Sequence, residues 1–86
     1  MGQRRFTYID HVREQMTRRT IDPAWVERTV LAPETTEPDP KHPDRVRAFR
    51  SIPERDGRVL RVVYVPEGDD YRVLTTFLDR SRSPKR

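Results

Sequence analysis

The stretch from Phe6 to Glu34, FTYIDHVREQMTRRTIDPAWVERTVLAPE, constrains the fold more than any other part of the chain. Its spacing predicts two short helices joined by a tight turn. Thr7-Tyr-Ile-Asp10 matches a capping box, with Thr7 at the N-cap, and a helix over about 8–19 follows. Ile9, Val12 and Met16 recur at helical spacing and mark its buried stripe. His11, Gln15 and Arg19 form an i, i+4, i+8 row away from that stripe, with Arg18 close by. Asp22-Pro23 is a second start signal, an acidic N-cap before a proline at the first helical position. It predicts a helix over about 23–32 that presents Trp25, Val26, Thr29 and Val30 on a mostly apolar face. That helix must stop near Ala32, because a residue before proline is pushed out of the α region.

The period then changes. The interval from Glu34 to Asp44, with prolines at 38, 40 and 43, predicts a solvated, mobile connector. Val46 to Ile52 alternates unevenly, Pro53-Glu-Arg-Asp-Gly57 supplies a turn, and Val59 to Val65 is rich in β-branched residues. Pro66-Glu-Gly-Asp-Asp70 turns the chain again into a run from Tyr71 to Leu78. Strands over about 45–52, 58–65 and 71–79 joined by short connections imply antiparallel neighbours. The expected fold is α+β, with two N-terminal helices on one face of a three- or four-stranded antiparallel meander. It forms one domain over 1–79, followed by a basic flexible tail over 80–86. The expected core is Ile9, Val12, Met16, Ile21, Trp25, Val26, Val30, Leu60, Val62, Val73 and Phe77.

Apolar residues make up 33% of the 86 and charged residues 37%, so the core must be thin: one sheet face under helices. With no cysteine, disulfides, thiolate metal sites and a cysteine nucleophile are excluded. No apolar run approaches the roughly 18 residues needed to cross a bilayer, and no signal-type apolar segment follows Met1, so a cytoplasmic, prokaryotic protein without membrane contact is expected. The net charge of +4 is unevenly spread: +3 over residues 1–20, −4 over 21–44 and +5 over 45–86. Such polarity fits an anionic ligand on one side of the domain. Gly-rich phosphate loops, G-x-S-x-G, H-E-x-x-H and RNP-like patterns do not occur, and His42 has no second ligand at metal spacing, so no cofactor and no metal are expected.

The order His11, Met16, Arg19, Ile21, Val26, Val30-Leu31, Pro33-Glu34, then Gly57-Arg-Val-Leu-Arg-Val-Val63 and Arg72-Val-Leu-Thr75, resembles a small prokaryotic family catalogued as domain of unknown function 4258. Over roughly residues 6–79 the chain is similar to it, and through it to the RelE/ParE-like group with the barnase–EndoU–colicin–RelE fold. That resemblance implies a toxin-type ribonuclease controlled by an antitoxin-like protein. Two positions depart from the pattern. Gln15 stands where the family usually has arginine, which removes a cation beside His11, and Thr20 stands where it often has glycine.

Metal-independent RNA cleavage needs a base for the 2′-OH, an acid for the leaving oxygen and cations around the phosphorane. His11 suits the acid–base role because imidazole titrates near neutrality. Arg19 and Arg61 suit phosphate oxygens, and Thr75 can donate a hydrogen bond. Arg18, Arg47, Arg50 and Arg72 are the expected nucleic-acid contacts. Two functions follow as expectations: a small RelE-like, metal-independent endoribonuclease acting on RNA, or a non-catalytic module that holds RNA, DNA or an acidic protein partner on its basic face.

Overall fold

In the computed structural model, which describes residues 5–82, the chain runs β1 (Phe6–Tyr8), α1 (Asp10–Arg19), α2 (Pro23–Leu31), β2 (Thr35–Pro38), β3 (Val46–Ile52), a 3-10 turn (Pro53–Arg55), β4 (Arg58–Glu67) and β5 (Asp70–Leu78). The second helix starts as the sequence predicts: the Asp22 carboxylate accepts from the Ala24 N–H at 2.8 Å, and Pro23 opens the first turn. It ends at Leu31, where Arg50 donates to the Ala32 carbonyl at 2.7 Å and satisfies a helix-terminal acceptor.

The first helix departs from expectation. Thr7 is not its N-cap; Ile9 takes that place without a side-chain cap. Residues 6–8 are instead drawn into the sheet, where Tyr71 N–H donates to Arg5 O at 2.8 Å and the Thr7 hydroxyl reaches Tyr71 O at 3.4 Å. An edge strand with unpaired backbone groups outweighs one capping hydrogen bond. At the other end, Thr20 closes α1 in the left-handed region at φ 55°, ψ 51°. A β-branched residue is strained there, whereas glycine adopts this conformation freely. Thr20→Gly should therefore raise stability by about 0.5–1 kcal/mol, after the larger unfolded-state entropy of glycine offsets part of the relieved strain. Urea denaturation measures it, and a destabilised variant would contradict the strain.

The sheet has five strands in the order β1-β5-β4-β3-β2, antiparallel except for the parallel pair β1–β5. The expected three- or four-stranded antiparallel meander is thus its centre, extended at both edges. On one side β1 follows β5 from Phe6↔Tyr71 to Tyr8↔Val73. On the other, the expected mobile connector contributes β2, paired with β3 from Thr35↔Phe49 to Pro38↔Val46. Its prolines lie at the end of β2 and beyond it, where a missing N–H removes little pairing. Residues 83–86 of the expected tail lie outside the described residues, whereas Arg82 packs back onto the sheet.

Both helices lie on one face, α1 against β5 and α2 over β3 and β4. Val12, Val26, Leu60, Val62 and Val73 are fully buried between them, and Met16, Ile21 and Val30 join the same cluster, with Ile9 and Trp25 packed at its rim. Phe77 was expected in this core and is not there. The β4–β5 register shifts by one between Val63↔Thr75 and Tyr64↔Val73, leaving Leu74 as an extra residue on β5. This bulge reverses the alternation of the strand. It turns Thr76 inward, where its hydroxyl donates to Arg61 O at 3.0 Å, and turns Phe77 to the opposite face.

Candidate nucleic-acid interface

Strand alternation places Arg47 and Phe49 of β3, Arg61 and Val63 of β4, and Thr75 and Phe77 of β5 on the face that no helix covers. One cross-strand row reads Phe49↔Arg61↔Phe77. The Arg61 guanidinium carbon sits 5.2 Å from the Phe77 ring centre and 5.9 Å from that of Phe49. Arg82 lies over Phe49 at 3.5 Å, and Arg19, from the last turn of α1, approaches Phe77 at 5.9 Å. All are within cation–π range. Phe49 is only 2% exposed although no helix covers it. Guanidinium groups and their apolar stems form its roof, which exposes cationic heads above aromatic rings.

Asp79 anchors this layer. It accepts from the Ser81 hydroxyl at 2.5 Å and the Ser81 N–H at 2.9 Å, with Arg61 at 3.8 Å and Arg82 at 4.0 Å. The Ser81 hydroxyl, chiefly, holds the Asp79 carboxyl below its ordinary value of 3.8; burial opposes this, and the two arginines reinforce it. A folded-state value below the unfolded one means that Asp79 stabilises the fold at neutral pH. That support is lost as pH falls through the folded value. Arg82 is further held by Glu37 at 2.6 Å. Among the described residues, the one ion pair of Arg61 is its long contact with Asp79, which leaves the terminal nitrogens of the guanidinium without a close partner. A guanidinium fixed between two rings with donors unspent is suited to an incoming anion.

Gln15 explains how α1 meets the sheet. It is 8% exposed, and its side-chain oxygen accepts from the Thr75 hydroxyl at 3.2 Å and faces the Thr76 N–H at 3.5 Å. Beyond Val73 the β5 edge has no further strand partner among the described residues, and Gln15 supplies an acceptor there. Thr75 is therefore already engaged, and its hydroxyl serves the helix–strand junction.

Of the other residues singled out in the sequence, Arg19, Arg61 and Thr75 gather along β5. His11 is exposed one helical turn before Gln15 and makes no side-chain hydrogen bond or ion pair among the described residues. Arg47 lies on the open face and pairs with Asp39 at 3.6 Å. Arg72 lies at the far end of β5, 3.8 Å from Glu67. Arg50 points to the helix-covered side and Arg18 to the outer surface of α1 beside Arg13, Glu14 and Thr17, so neither joins the row. Phe49, Phe77, Asp79 and Arg82 join the site without having been expected there. An alternating Phe49 two positions from Arg47 was a usable signal; Arg82, twenty-one residues after Arg61, had none. Among the described residues there is no group of three or more acids and histidines able to hold a metal, and no helix is long and apolar enough to cross a membrane.

The profile of the family described as a domain of unknown function (DUF4258) matches residues 8–78, which takes in α1, α2 and every strand from β2 to β5. Neither a curated protein nor a solved structure matches the chain.

Proposed function

The chain belongs to the family of the domain of unknown function DUF4258, and we propose that it binds single-stranded RNA across the open face of its sheet. One observation carries this: the Arg61 guanidinium is cradled between Phe49 and Phe77 and flanked by Arg19 and Arg82. Guanidinium groups supply phosphate contacts, and the accessible side of Phe77 supplies a stacking platform that tolerates any base. A RelE/ParE-like placement belongs to the same proposal. Binding is favoured over catalysis because Gln15 and Thr75 are used structurally and no neighbour orients the His11 imidazole.

With Arg19, Arg47, Arg61 and Arg82 as four phosphate contacts, affinity should fall about 50-fold between 50 and 200 mM salt, from a slope of about −0.7 per contact for single strands. Fluorescence anisotropy with a labelled oligoribonucleotide measures this, and a flat response would refute the interface. The same incubations, with chelator present, report on cleavage. If His11 acts as general acid or base, products end in a 2′,3′-cyclic phosphate and His11→Ala slows their formation by about 10²–10⁴. Intact RNA leaves the binding module alone standing.

A further inference from the structure

A second cluster of arginines lies beside the open face and is not part of the Phe49–Arg61–Phe77 row. Where β5 ends, a cleft of about 590 Å³ opens between the C-terminal end of α1 and the turn leading into β4. Its volume is within the range of about 300–1,000 Å³ typical of small-ligand sites. Arg19, Arg55, Arg58 and Arg80 line it, against Asp79 as the single acid. That acid is committed elsewhere, to Ser81, Arg61 and Arg82. Among the described residues, the guanidinium groups of Arg58 and Arg80 have no hydrogen bond or ion pair, and that of Arg19 has only its contact with Phe77.

The end of a helix is ordinarily a poor place for an anion, because its free carbonyls carry partial negative charge. Here Arg55 covers them, donating to Thr20 O at 3.1 Å and Arg19 O at 3.4 Å. The remaining three arginines that line the cleft have no carboxylate partner among the described residues. Phe77 and Leu78 give the same cleft an apolar wall, and Phe77 is shared with the proposed RNA-binding row.

A backbone phosphodiester brings one negative charge and two free oxygens. A phosphomonoester brings close to two charges at neutral pH and three acceptor oxygens. Three uncompensated guanidiniums converging on one cleft suit the second better than the first. We infer that this cleft binds a phosphomonoester, the 5′-terminal phosphate of a single-stranded RNA whose following nucleotides cross the open face. The inference rests on the proposed RNA interface and deepens it, since it assigns the strand an end and a direction. Arg58 and Arg80 grip the terminal phosphate, Arg19 bridges it to the next one, and Phe77 stacks the first bases.

The test compares one oligoribonucleotide, labelled at its 3′ end, carrying either a 5′-phosphate or a 5′-hydroxyl. The phosphorylated form should bind about tenfold more tightly. The double variant Arg58→Ala/Arg80→Ala should abolish that preference while leaving the 5′-hydroxyl RNA bound as in the wild type, which also shows that the variant is folded. Equal affinity of the two RNAs, or a preference that survives the double variant, overturns the cleft and leaves the open-face interface intact. Absence of binding by both RNAs at low salt overturns the interface and the cleft together. A free nucleoside 5′-monophosphate distinguishes the two sources of the same group. Weak competition against the phosphorylated RNA is expected. Competition as strong as the RNA itself would make the free nucleotide the ligand and overturn the assignment to an RNA end.

Discussion

Replacing Gln15 by arginine is expected to destabilise the protein by about 3 kcal/mol. Gln15 is almost fully buried and acts as an acceptor for the Thr75 hydroxyl, with the Thr76 N–H close by. Arginine has donors only. The substitution strands those two donors, at about 1–3 kcal/mol for each group left unsatisfied, and adds a charge at a nearly buried site. Gln15→Met separates the two effects, since it removes the acceptor without adding charge, and should cost about half as much. Urea denaturation of the three proteins decides it. An arginine variant within 0.5 kcal/mol of wild type, about the spread of an ordinary surface substitution, would show that the Gln15 contacts contribute nothing.

The second large effect is on binding. Arg61→Glu should weaken RNA association about 100-fold, the loss of one charge-assisted contact together with repulsion from a new carboxylate beside Asp79. Arg50→Glu is the matched control. It makes the same change of charge on the same sheet, but on the side that donates to Ala32 O, so RNA affinity should hold while stability falls by about 1–2 kcal/mol. Equal losses of affinity in both variants would mean that RNA responds to net charge and not to a particular face.

Local signals in the sequence were strong enough to place both helices and the three long strands. Asp22-Pro23 starts α2 as expected, and Asp56-Gly57 turns β3 into β4 through two residues of positive φ. What escaped has a common cause: it depends on pairing between distant segments. Thr7-Tyr-Ile-Asp10 looks like a cap until β5 offers Tyr71 as a partner, and Thr35–Pro38 looks like a loop until β3 offers an edge. The same holds for the site. Arg19 and Arg61 were visible as cations, but their meeting at Phe77 depends on the extra residue Leu74, and no local pattern marks a bulge.

The parallel pairing of β1 with β5 also sets an order of events during synthesis. β1 is made before the other strands and the helices, whereas its sheet partner follows more than sixty residues later. The helices and the β3–β4 hairpin can begin to form as they leave the ribosome, but Phe6–Tyr8 waits for Tyr71–Val73. Phe77, Asp79 and Arg82 belong to that same late segment. Until β5 is made, the nascent chain therefore carries the arginines of the earlier elements without the complete aromatic row that would organise them. Its affinity for RNA should switch on in one step, when β5 docks and closes the sheet.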